Sequence, residues 1–344
     1  MAAAAIAAAA FALTLVAAGR EWSVDVPWAP TLDLRLAFAL DGLAVLYTLL
    51  ATGIGALVFV YARPYVVLHL AHEERPRREA LRLHGFLFLF MVSMVGLATA
   101  QDLILLFVFW DLTAVASYYL VGFDRHRAEA RAAALMALLV TGVSAVLLLI
   151  GTIVLYVEYG TFQLPELFER AEPGPAVTIA AVLIAAAGLA KSAQVPLHFW
   201  LPRAMAAPTP VSAYLHSAAM VAAGVFLLGR TYPLLELSRG LLDGLLVVGA
   251  ASMAVGGVLA LTRDELKQVL ANSTIAQYGY VVFMLGLGGP GGVAAASFYV
   301  LAHALMKSAL FLTAGAVGEA TGKTRLSELG GLGRRMPALA VGSA

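Results

Sequence analysis

Long apolar segments separated by short polar connections dominate this chain. A helix needs about 20 predominantly apolar residues to cross the hydrocarbon core of a bilayer. Ten segments approach or exceed that length, at residues 1–19, 36–61, 84–100, 103–122, 132–157, 176–200, 208–229, 241–262, 268–287 and 293–318. Each of them is therefore predicted to be a transmembrane helix.

Composition supports a membrane location for the whole chain of 344 residues. Apolar residues make up 61% of the sequence and charged residues only 12%, which is unlike a water-soluble domain. The segments also lack the alternation of polar and apolar residues that marks barrel strands. We therefore expect an all-α integral membrane protein, a bundle of about ten transmembrane helices that forms a single domain over 1–344.

Basic residues divide unequally between the two sets of alternate connections. One set holds fifteen of the 22, namely Arg63, Arg75, Arg77, Arg78, Arg82, Arg125, Arg127, Arg131, Arg203, Arg263, Lys267, Lys323, Arg325, Arg334 and Arg335. The opposite set holds Arg20, Arg35, Arg170, Arg230 and Arg239, and two lysines lie inside apolar segments. Because cytoplasmic connections carry the excess of Lys and Arg, both termini are predicted to be cytoplasmic and the protein to be a multi-pass protein of the cell membrane.

The two ends of the chain give further expectations. The first segment, MAAAAIAAAAFALTLVAAG, lacks the basic start of a cleaved signal peptide, which favours a membrane helix over that alternative. The polar stretch 319–344 is expected to be a cytoplasmic loop or tail. It contains TGKT, but Val317 stands where a phosphate-binding loop needs glycine, so nucleotide binding is not expected.

Several classes of function do not fit the composition. The chain has no cysteine, and its seven histidines form no HExxH pattern, so we expect neither a metal site nor a cofactor. A net charge of +1 without a clustered basic face argues against a nucleic-acid partner. The expected surroundings are the lipid bilayer and other membrane proteins.

Ionisable residues inside the apolar segments are the strongest functional signal. Lys191 ends a long uncharged run, and Asp111 interrupts LFVFWDLTAVASYYLVGF near its middle. Charged residues at such depth are costly and usually face a partner or a hydrated cavity on an ion path. A carboxylate near Lys191 stabilises its ammonium form, and separation of the two favours release of the proton. The alternative is a purely structural ion pair within the bundle.

A second group of residues extends this pattern beyond Lys191. Pro196, Pro202, Pro208 and Pro210 follow Lys191 closely and predict a broken helix, a feature of transporter ion sites, unless the helix simply ends near residue 199. His216 follows in the next apolar segment, and histidine exchanges protons near neutral pH. It is therefore a candidate relay group, with a structural histidine as the alternative.

Three further basic residues are candidates for the same path. His303 and Lys307 are four residues apart and share one face of their helix. Lys267 lies at the start of its segment, where an interfacial anchor is the simpler interpretation. The predicted proton path comprises Asp111, Lys191, His216, Lys267, His303 and Lys307.

Four stretches of the chain resemble a known family of membrane proteins. They are LFVFWDLTAVASYYLVGF, KSAQVPLHFWLPRAMAAPTPVSAYLHSAAMVAAGVFLLGR, DELKQVLANSTIAQYGY and LAHALMKSALFLTAGAV, in that order. This set is similar to the proton-translocating antiporter-like family, and PRAMAAPTPVSAYLHSA most resembles the A subunit of Mrp-type sodium/proton antiporters. The family also includes the antiporter-like subunits of respiratory complex I.

The resemblance implies roles for individual residues. Asp111 takes the place of the family's key glutamate, Lys191 that of its paired lysine and His216 that of a relay histidine, with His303 and Lys307 on connecting polar positions. It also implies inverted five-helix repeats, complete over 84–229 and partial over 241–318. Asp111 is shorter than glutamate, and Ala222 replaces a lysine found after the relay histidine.

The resemblance further implies that segments of the family pattern lie outside this sequence. The chain stops before the helix that bears the family's exit lysine, and its first segment aligns with the family's second helix. We therefore expect either a fragment or a split subunit whose path continues on a neighbouring chain.

These observations predict a proton-conducting subunit of a multisubunit cation/proton antiporter. Its partners are other membrane subunits, protons and sodium, and no covalent chemistry is implied. Three alternatives remain open from the sequence: a redox-driven pump subunit of complex I or a membrane-bound hydrogenase, the membrane subunit of a bicarbonate-accumulating complex, and a structural bundle with buried ion pairs.

Overall fold

The structure, a computed structural model, describes residues 1–19 and 22–343. Arg20, which was counted in the smaller set of basic residues, and Ala344, which ends the predicted tail, lie outside the described residues. The principal helices are α1 (Ala2–Ala17), α2 (Gly42–His72), α3 (Glu79–Thr99), α4 (Leu103–Val121), α5 (Ala128–Tyr159), α6 (Pro175–Lys191), α7 (Thr209–Ser217), α8 (Met220–Arg230), α9 (Arg239–Leu261), α10 (Leu266–Leu287) and α11 (Gly289–Thr321).

Each predicted apolar segment overlaps at least one of these helices, which confirms the all-α membrane fold. In the described chain, seven stretches are long and apolar enough to cross a membrane: α2, α3, α4, α5, the pair α7 and α8, α9 and α11. The helices α1 and α6 are apolar but shorter. The 22-residue α10 is not among the seven because it carries several polar side chains.

The start of the second predicted segment, 36–61, is wrong. Residues Leu34–Ala39 form strand β2, which pairs antiparallel with strand β1, Ser23–Ala29. Helix α2 begins only at Gly42, where the side chain of Asp41 accepts a hydrogen bond from the amide of Ala44 at 2.8 Å. An aspartate in this position caps the free amides of a first helical turn, and so fixes where the helix starts.

Shorter elements complete the chain. A π-helical turn, Leu50–Ile54, lies within α2, and 3₁₀ turns flank a short helix, Trp200–Arg203, in the connection between α6 and α7. The remaining short helices are Leu164–Arg170, Tyr232–Leu235, Leu332–Arg335 and Pro337–Ser343. Two of these short helices, Leu332–Arg335 and Pro337–Ser343, lie within the stretch predicted to be a loop or tail.

The connections that carry most of the basic residues meet at one end of the bundle, here called the arginine-rich end. Arg75, between α2 and α3, donates to the carboxylate of Asp124, between α4 and α5. His69 Nε2 also lies 3.1 Å from both oxygens of Asp124. The connection between α9 and α10 joins the chain after α11, since the amide of Ser327 donates to Asp264 at 2.9 Å.

Asp124 is a buried carboxylate within this end. Burial raises the pKa of Asp124, but hydrogen bonds and charges from His69 and Arg75 outweigh it and hold the pKa below its ordinary value. Two connections are thereby fixed to one charged group. Breaking a buried pair of this kind is costly because the remaining charge loses its partner.

Helices α6 and α8 touch at glycines just before Lys191. A methyl group added to Gly224 would overlap the carbonyl oxygen of Gly188 and would lie 2.6 Å from the amide nitrogen of Ser192. Only glycine permits backbones to approach this closely, which is how helices associate within lipid. The contact fixes the end of α6, and with it Lys191, against α8.

Replacing Gly224 with alanine tests this contact. The added methyl group meets backbone atoms that cannot move aside, so we expect a loss of about 1–3 kcal/mol in unfolding free energy. Thermal unfolding of the protein purified in detergent measures the change. Gly142→Ala is the control, because a methyl group there meets nothing within 4 Å. Equal behaviour of the two variants would contradict the close approach.

Asp124→Asn tests the charged group at the arginine-rich end. We expect a loss of about 3 kcal/mol near neutral pH, because Arg75 and His69 lose their anionic partner. A carboxyl group whose pKa is lowered in the native state stabilises the fold at pH values above its ordinary pKa of 3.8. That contribution disappears as the pH falls through the native pKa.

The stability of the wild type is therefore expected to fall more steeply than that of Asp124→Asn on acidification below about pH 4. Denaturant unfolding at several pH values provides the measurement. Asp243→Asn, an exposed position on α9, is the control. Parallel pH profiles for wild type and Asp124→Asn would show that this carboxylate contributes nothing.

Candidate functional site

Lys191 is the last residue of α6 and is fully buried. Its ammonium donates to the carbonyl oxygen of Trp110 at 2.8 Å and to Oγ1 of Thr113 at 2.7 Å. The same nitrogen lies 4.0 Å from the centre of the Trp110 ring, within the range of cation–π attraction. Neutral acceptors and an aromatic face on α4 therefore hold the charge of this lysine.

Asp111 also lies on α4, but on a different face of this helix from Trp110 and Thr113. Trp110 and Thr113 are buried toward Lys191, whereas Asp111 is exposed on the side of the bundle. Within the described residues, no Lys, Arg or His nitrogen lies within 4.0 Å of the Asp111 carboxylate. The direct pair of Asp111 with Lys191 is therefore absent from this structure, and Asp111 remains a predicted site residue.

The helix is interrupted between Lys191 and the start of α7, as the prolines indicate. Helix α6 stops at Lys191, and α7 begins only at Thr209 after short turns. The indole nitrogen of Trp200 donates to the carbonyl of Ala190 at 3.1 Å, which folds the connection back against the end of α6. The amide of Val195 donates to Oγ of Ser252 on α9 at 3.0 Å. The break is thus anchored on two sides.

His216 lies one residue before the end of α7 and is fully buried. In the described chain neither of its ring nitrogens has a hydrogen-bond partner. Its ring centre is 6.2 Å from that of Trp200, the residue that contacts the end of α6. Trp200 therefore lies between the helix of Lys191 and the imidazole of His216. Unpartnered buried nitrogens are costly and suit positions where water binds.

His303 and Lys307 lie on the buried side of α11. The ring of His303 is 4.7 Å from that of Tyr278 on α10, and Tyr278 donates to the carbonyl of Ser217, next to His216, at 3.1 Å. Both ring nitrogens of His303 are buried without a partner in the described part of the chain. Lys307 donates to Oγ of Ser273 and to the carbonyl of Leu270. Tyr278 thus connects α7 to α11.

Lys267 is not a free interfacial anchor. From the second position of α10 its ammonium donates to the carbonyl oxygen of Ala207 at 2.8 Å. Ala207 lies just before α7, so this lysine contacts the broken connection rather than solvent alone. The structure therefore places Lys267 beside the other candidates, on the helix that also carries Tyr278.

Several polar groups that the sequence analysis did not single out also line this region. They are Thr113, Gln194, Asn272 and Tyr278, all fully buried. Gln194 Oε1 and Asn272 Oδ1 have no hydrogen-bond partner among the described residues. Each of these polar residues interrupts an apolar stretch near a candidate residue, and this pattern could have identified them from the sequence. The sequence does not say which of the many buried hydroxyls and amides faces the path.

The arrangement suits proton transfer better than chemistry on a bound molecule. Four buried basic side chains, Lys191, His216, His303 and Lys307, follow one another across α6, α7 and α11. Lysine and histidine can each hold or release a proton, and the orphaned imidazole nitrogens can bind water. Among residues 1–19 and 22–343, no group of three or more His, Asp or Glu side chains is placed to hold a metal ion.

Two known protein families match this chain, each over a different range of residues. Residues 100–342 match the family described as NADH:quinone oxidoreductase/Mrp antiporter, TM. Residues 27–78 match the family described as NADH-Ubiquinone oxidoreductase (complex I), chain 5 N-terminus.

Two similar proteins carry antiporter names. The chain is 39% identical over 329 residues to a Rhizobium meliloti protein named as the A/B subunit of a K(+)/H(+) antiporter, covering 95% of this chain and 32% of that protein. It is 39% identical over 345 residues to a Staphylococcus saprophyticus protein named as antiporter subunit mnhA2, covering 95% and 42%. The chain thus spans about a third to two fifths of their length.

Solved structures share the fold. A chain of the Mrp complex from Dietzia sp. DQ12-45-1b superposes with a TM-score of 0.84 and 35% identity, over 98% of this chain and 37% of that chain. A chain of an archaeal membrane-bound sulfane sulfur reductase superposes with a TM-score of 0.86 and 24% identity, over 97% and 68%. At that identity the second likeness concerns the fold alone.

Thr113→Val tests how Lys191 is held. The substitution keeps the shape of the side chain but removes an acceptor from a buried ammonium, so we expect a loss of about 1.5–3 kcal/mol in stability. Thr152→Val is the matched control, because the hydroxyl of Thr152 is buried without a partner in the described chain and its removal should be neutral or stabilising. Thermal unfolding compares the two, and a neutral Thr113→Val would refute the contact.

Proposed function

We propose that this chain, which belongs to the NADH:quinone oxidoreductase/Mrp antiporter family, forms the proton-conducting part of a subunit of a multisubunit cation/proton antiporter. One observation carries the proposal: the fully buried ammonium of Lys191 ends a broken helix and has only neutral acceptors within hydrogen-bonding distance in the described chain. A buried charge without a fixed counter-ion is available to exchange its proton.

The proton path runs through six residues. Asp111 and Lys191 begin it, His216 continues it, and Lys267, His303 and Lys307 extend it toward α11. Two contacts support this order: Trp200 joins the connection before α7 to the end of α6, and Tyr278 joins α10 to the end of α7. Water at the unpartnered nitrogens of His216 and His303 would complete the hydrogen-bonded steps.

Asp111 controls the first step by its distance from Lys191. The carboxylate is exposed on the side of α4, and Lys191 bonds to Trp110 and Thr113 in the same turn of that helix. Movement of the carboxylate toward the ammonium stabilises the protonated lysine, and movement away favours transfer to His216. The separation between these two side chains therefore sets the direction in which the proton moves.

The membrane supplies the driving force. Each elementary charge that crosses a potential of 100 mV releases about 2.3 kcal/mol. The arginine-rich end faces the cytoplasm in this proposal, as the excess of basic residues there supports, and both termini lie on that side of the cell membrane. Inward movement of protons then drives outward movement of a cation.

Other membrane subunits complete the transporter. Similar chains belong to proteins named as antiporter subunits and to an Mrp complex. The inverted repeats are 84–229 and a partial copy over 241–318, followed by a cytoplasmic tail over 319–344.

Sodium is the proposed exchanged cation, and potassium is the second candidate. The name of the Rhizobium meliloti relative specifies K(+)/H(+) exchange, which favours testing both ions. The structure gives no ground for choosing between them in the described part of the chain, where no cluster of acidic or histidine side chains would hold a cation.

Exchange in everted vesicles that contain the complete complex tests the path. Addition of sodium or potassium should dissipate an imposed pH gradient in the wild type, as a pH-sensitive dye reports. Asp111→Asn and Lys191→Ala are expected to reduce exchange to that of vesicles without the complex. Lys323→Ala, an exposed lysine of the tail, is the control and should retain full exchange.

The amount of assembled complex is measured in the same vesicles. A purely structural role of these two charges predicts less complex in Asp111→Asn and Lys191→Ala, but normal exchange for each complex that assembles. Exchange that persists in both variants at normal expression would refute the proposed path. The ion that dissipates the gradient identifies the exchanged cation.

A further inference from the structure

A cavity of about 570 Å³ lies at the arginine-rich end, and its lining includes none of the six proposed path residues among the described side chains. The start of α5 forms one wall, and the end of α9 with the start of α10 forms the other. The segment 198–203, from the broken connection, lies between them. The cavity therefore sits where three separate parts of the bundle meet.

The charges in this cavity are predominantly positive. Arg203 and Arg263 line it, and Glu129 is the one acid that the described residues contribute to its walls. In the described part of the chain neither arginine forms an ion pair, although eight other arginine or histidine side chains do. Two guanidinium groups without a carboxylate partner favour an external anion, and their planar donors suit phosphate oxygens.

Polar atoms in the cavity wall also lack partners. His198 Nδ1 is buried without a hydrogen bond in the described chain, and so is Oδ1 of Asn272, whose side chain is fully buried. Both residues line the cavity. Neither atom has accessible surface, so both lie beneath the cavity wall, and the two arginines carry the charge that a ligand would meet.

The surface beside the cavity is apolar. On α5 the side chains of Leu135 and Leu139 are exposed, and on α9 those of Val258 and Leu261 are exposed as well. In a membrane these faces contact acyl chains. A basic pocket between transmembrane helices, next to such faces, is the type of site that binds phosphate headgroups of anionic lipids.

We propose that the cavity between Arg203 and Arg263 binds a phosphate-bearing anion, with the headgroup of an anionic phospholipid as its source in the membrane. The two guanidinium groups bind the phosphate, and Glu129 is the one acid that the described residues place beside it. The orientation proposed above places this headgroup in the cytoplasmic leaflet. The site itself does not depend on proton transport. A bound headgroup would join α5 to the turn between α9 and α10.

Binding to the purified complete complex tests this site. Dioctanoyl phosphatidylglycerol, dioctanoyl phosphatidylcholine and inorganic phosphate are each titrated in detergent, and occupancy is read by native mass spectrometry and by thermal stabilisation. We expect the double variant Arg203→Gln with Arg263→Gln to bind phosphatidylglycerol about 30-fold more weakly than the wild type. Arg77→Gln with Arg78→Gln removes the same charge from exposed positions at the same end and should change binding little.

Glu129→Gln tests whether the bound ligand is an anion or a cation. Removal of this acid, the one that the described residues place in the lining, should tighten binding of a phosphate anion by about fivefold. A merely structural role for the arginines does not predict such a gain, and a cation site predicts the reverse. Thermal unfolding without lipid checks that each variant is folded.

The titrations also separate the two sources of phosphate. Saturable binding of phosphatidylglycerol without competition from inorganic phosphate identifies a lipid site, and competition by inorganic phosphate identifies a site for soluble phosphate as well. Equal affinity of wild type and Arg203→Gln with Arg263→Gln for both phosphate ligands would overturn the proposal. These binding measurements do not depend on exchange activity. A failure of the lipid-binding proposal therefore leaves the proposed proton path unaffected.

Discussion

The burial of the Lys191 ammonium is the constraint on which the rest of this structure depends. A charged group of that kind is costly within a bilayer, and here the carbonyl of Trp110, the hydroxyl of Thr113 and an aromatic face offset the cost. These groups lie on one face of α4, so α4 must pack against the end of α6. The contact of Gly188 with Gly224 then holds α6 against α8.

The proline-containing connection that follows Lys191 folds back against the end of α6. The indole of Trp200 contacts Ala190 there, and its ring lies beside that of His216. The broken connection also receives the hydrogen bond from Lys267. Buried basic groups on α6, α7 and α11, and the partly exposed Lys267 on α10, are thereby connected through this segment and Tyr278, although they are far apart in sequence. Proximity of this kind is what a proton path requires.

Much of the fold could be predicted from the sequence, because lipid leaves few choices to an apolar chain. Backbone polar groups within hydrocarbon must bond internally, so long apolar runs become helices. The hairpin Ser23–Ala29 and Leu34–Ala39 was missed because its second strand is apolar and runs into the helix that follows. The capping residue Asp41 was the available signal for the true start of α2. Short strands next to long helices are hard to recognise by hydropathy alone.

The sequence by itself determined the membrane environment, the helical class and four of the buried basic residues, Lys191, His216, His303 and Lys307, since each follows from local composition and the cost of charge in lipid. Only the tertiary structure decided what those residues contact. Lys191 bonds to neutral groups of α4, Asp111 lies on another face of that helix, and Tyr278 connects Ser217 to His303. Such contacts depend on helix rotation and on close approach at a few glycines, and neither quantity is encoded in any single segment.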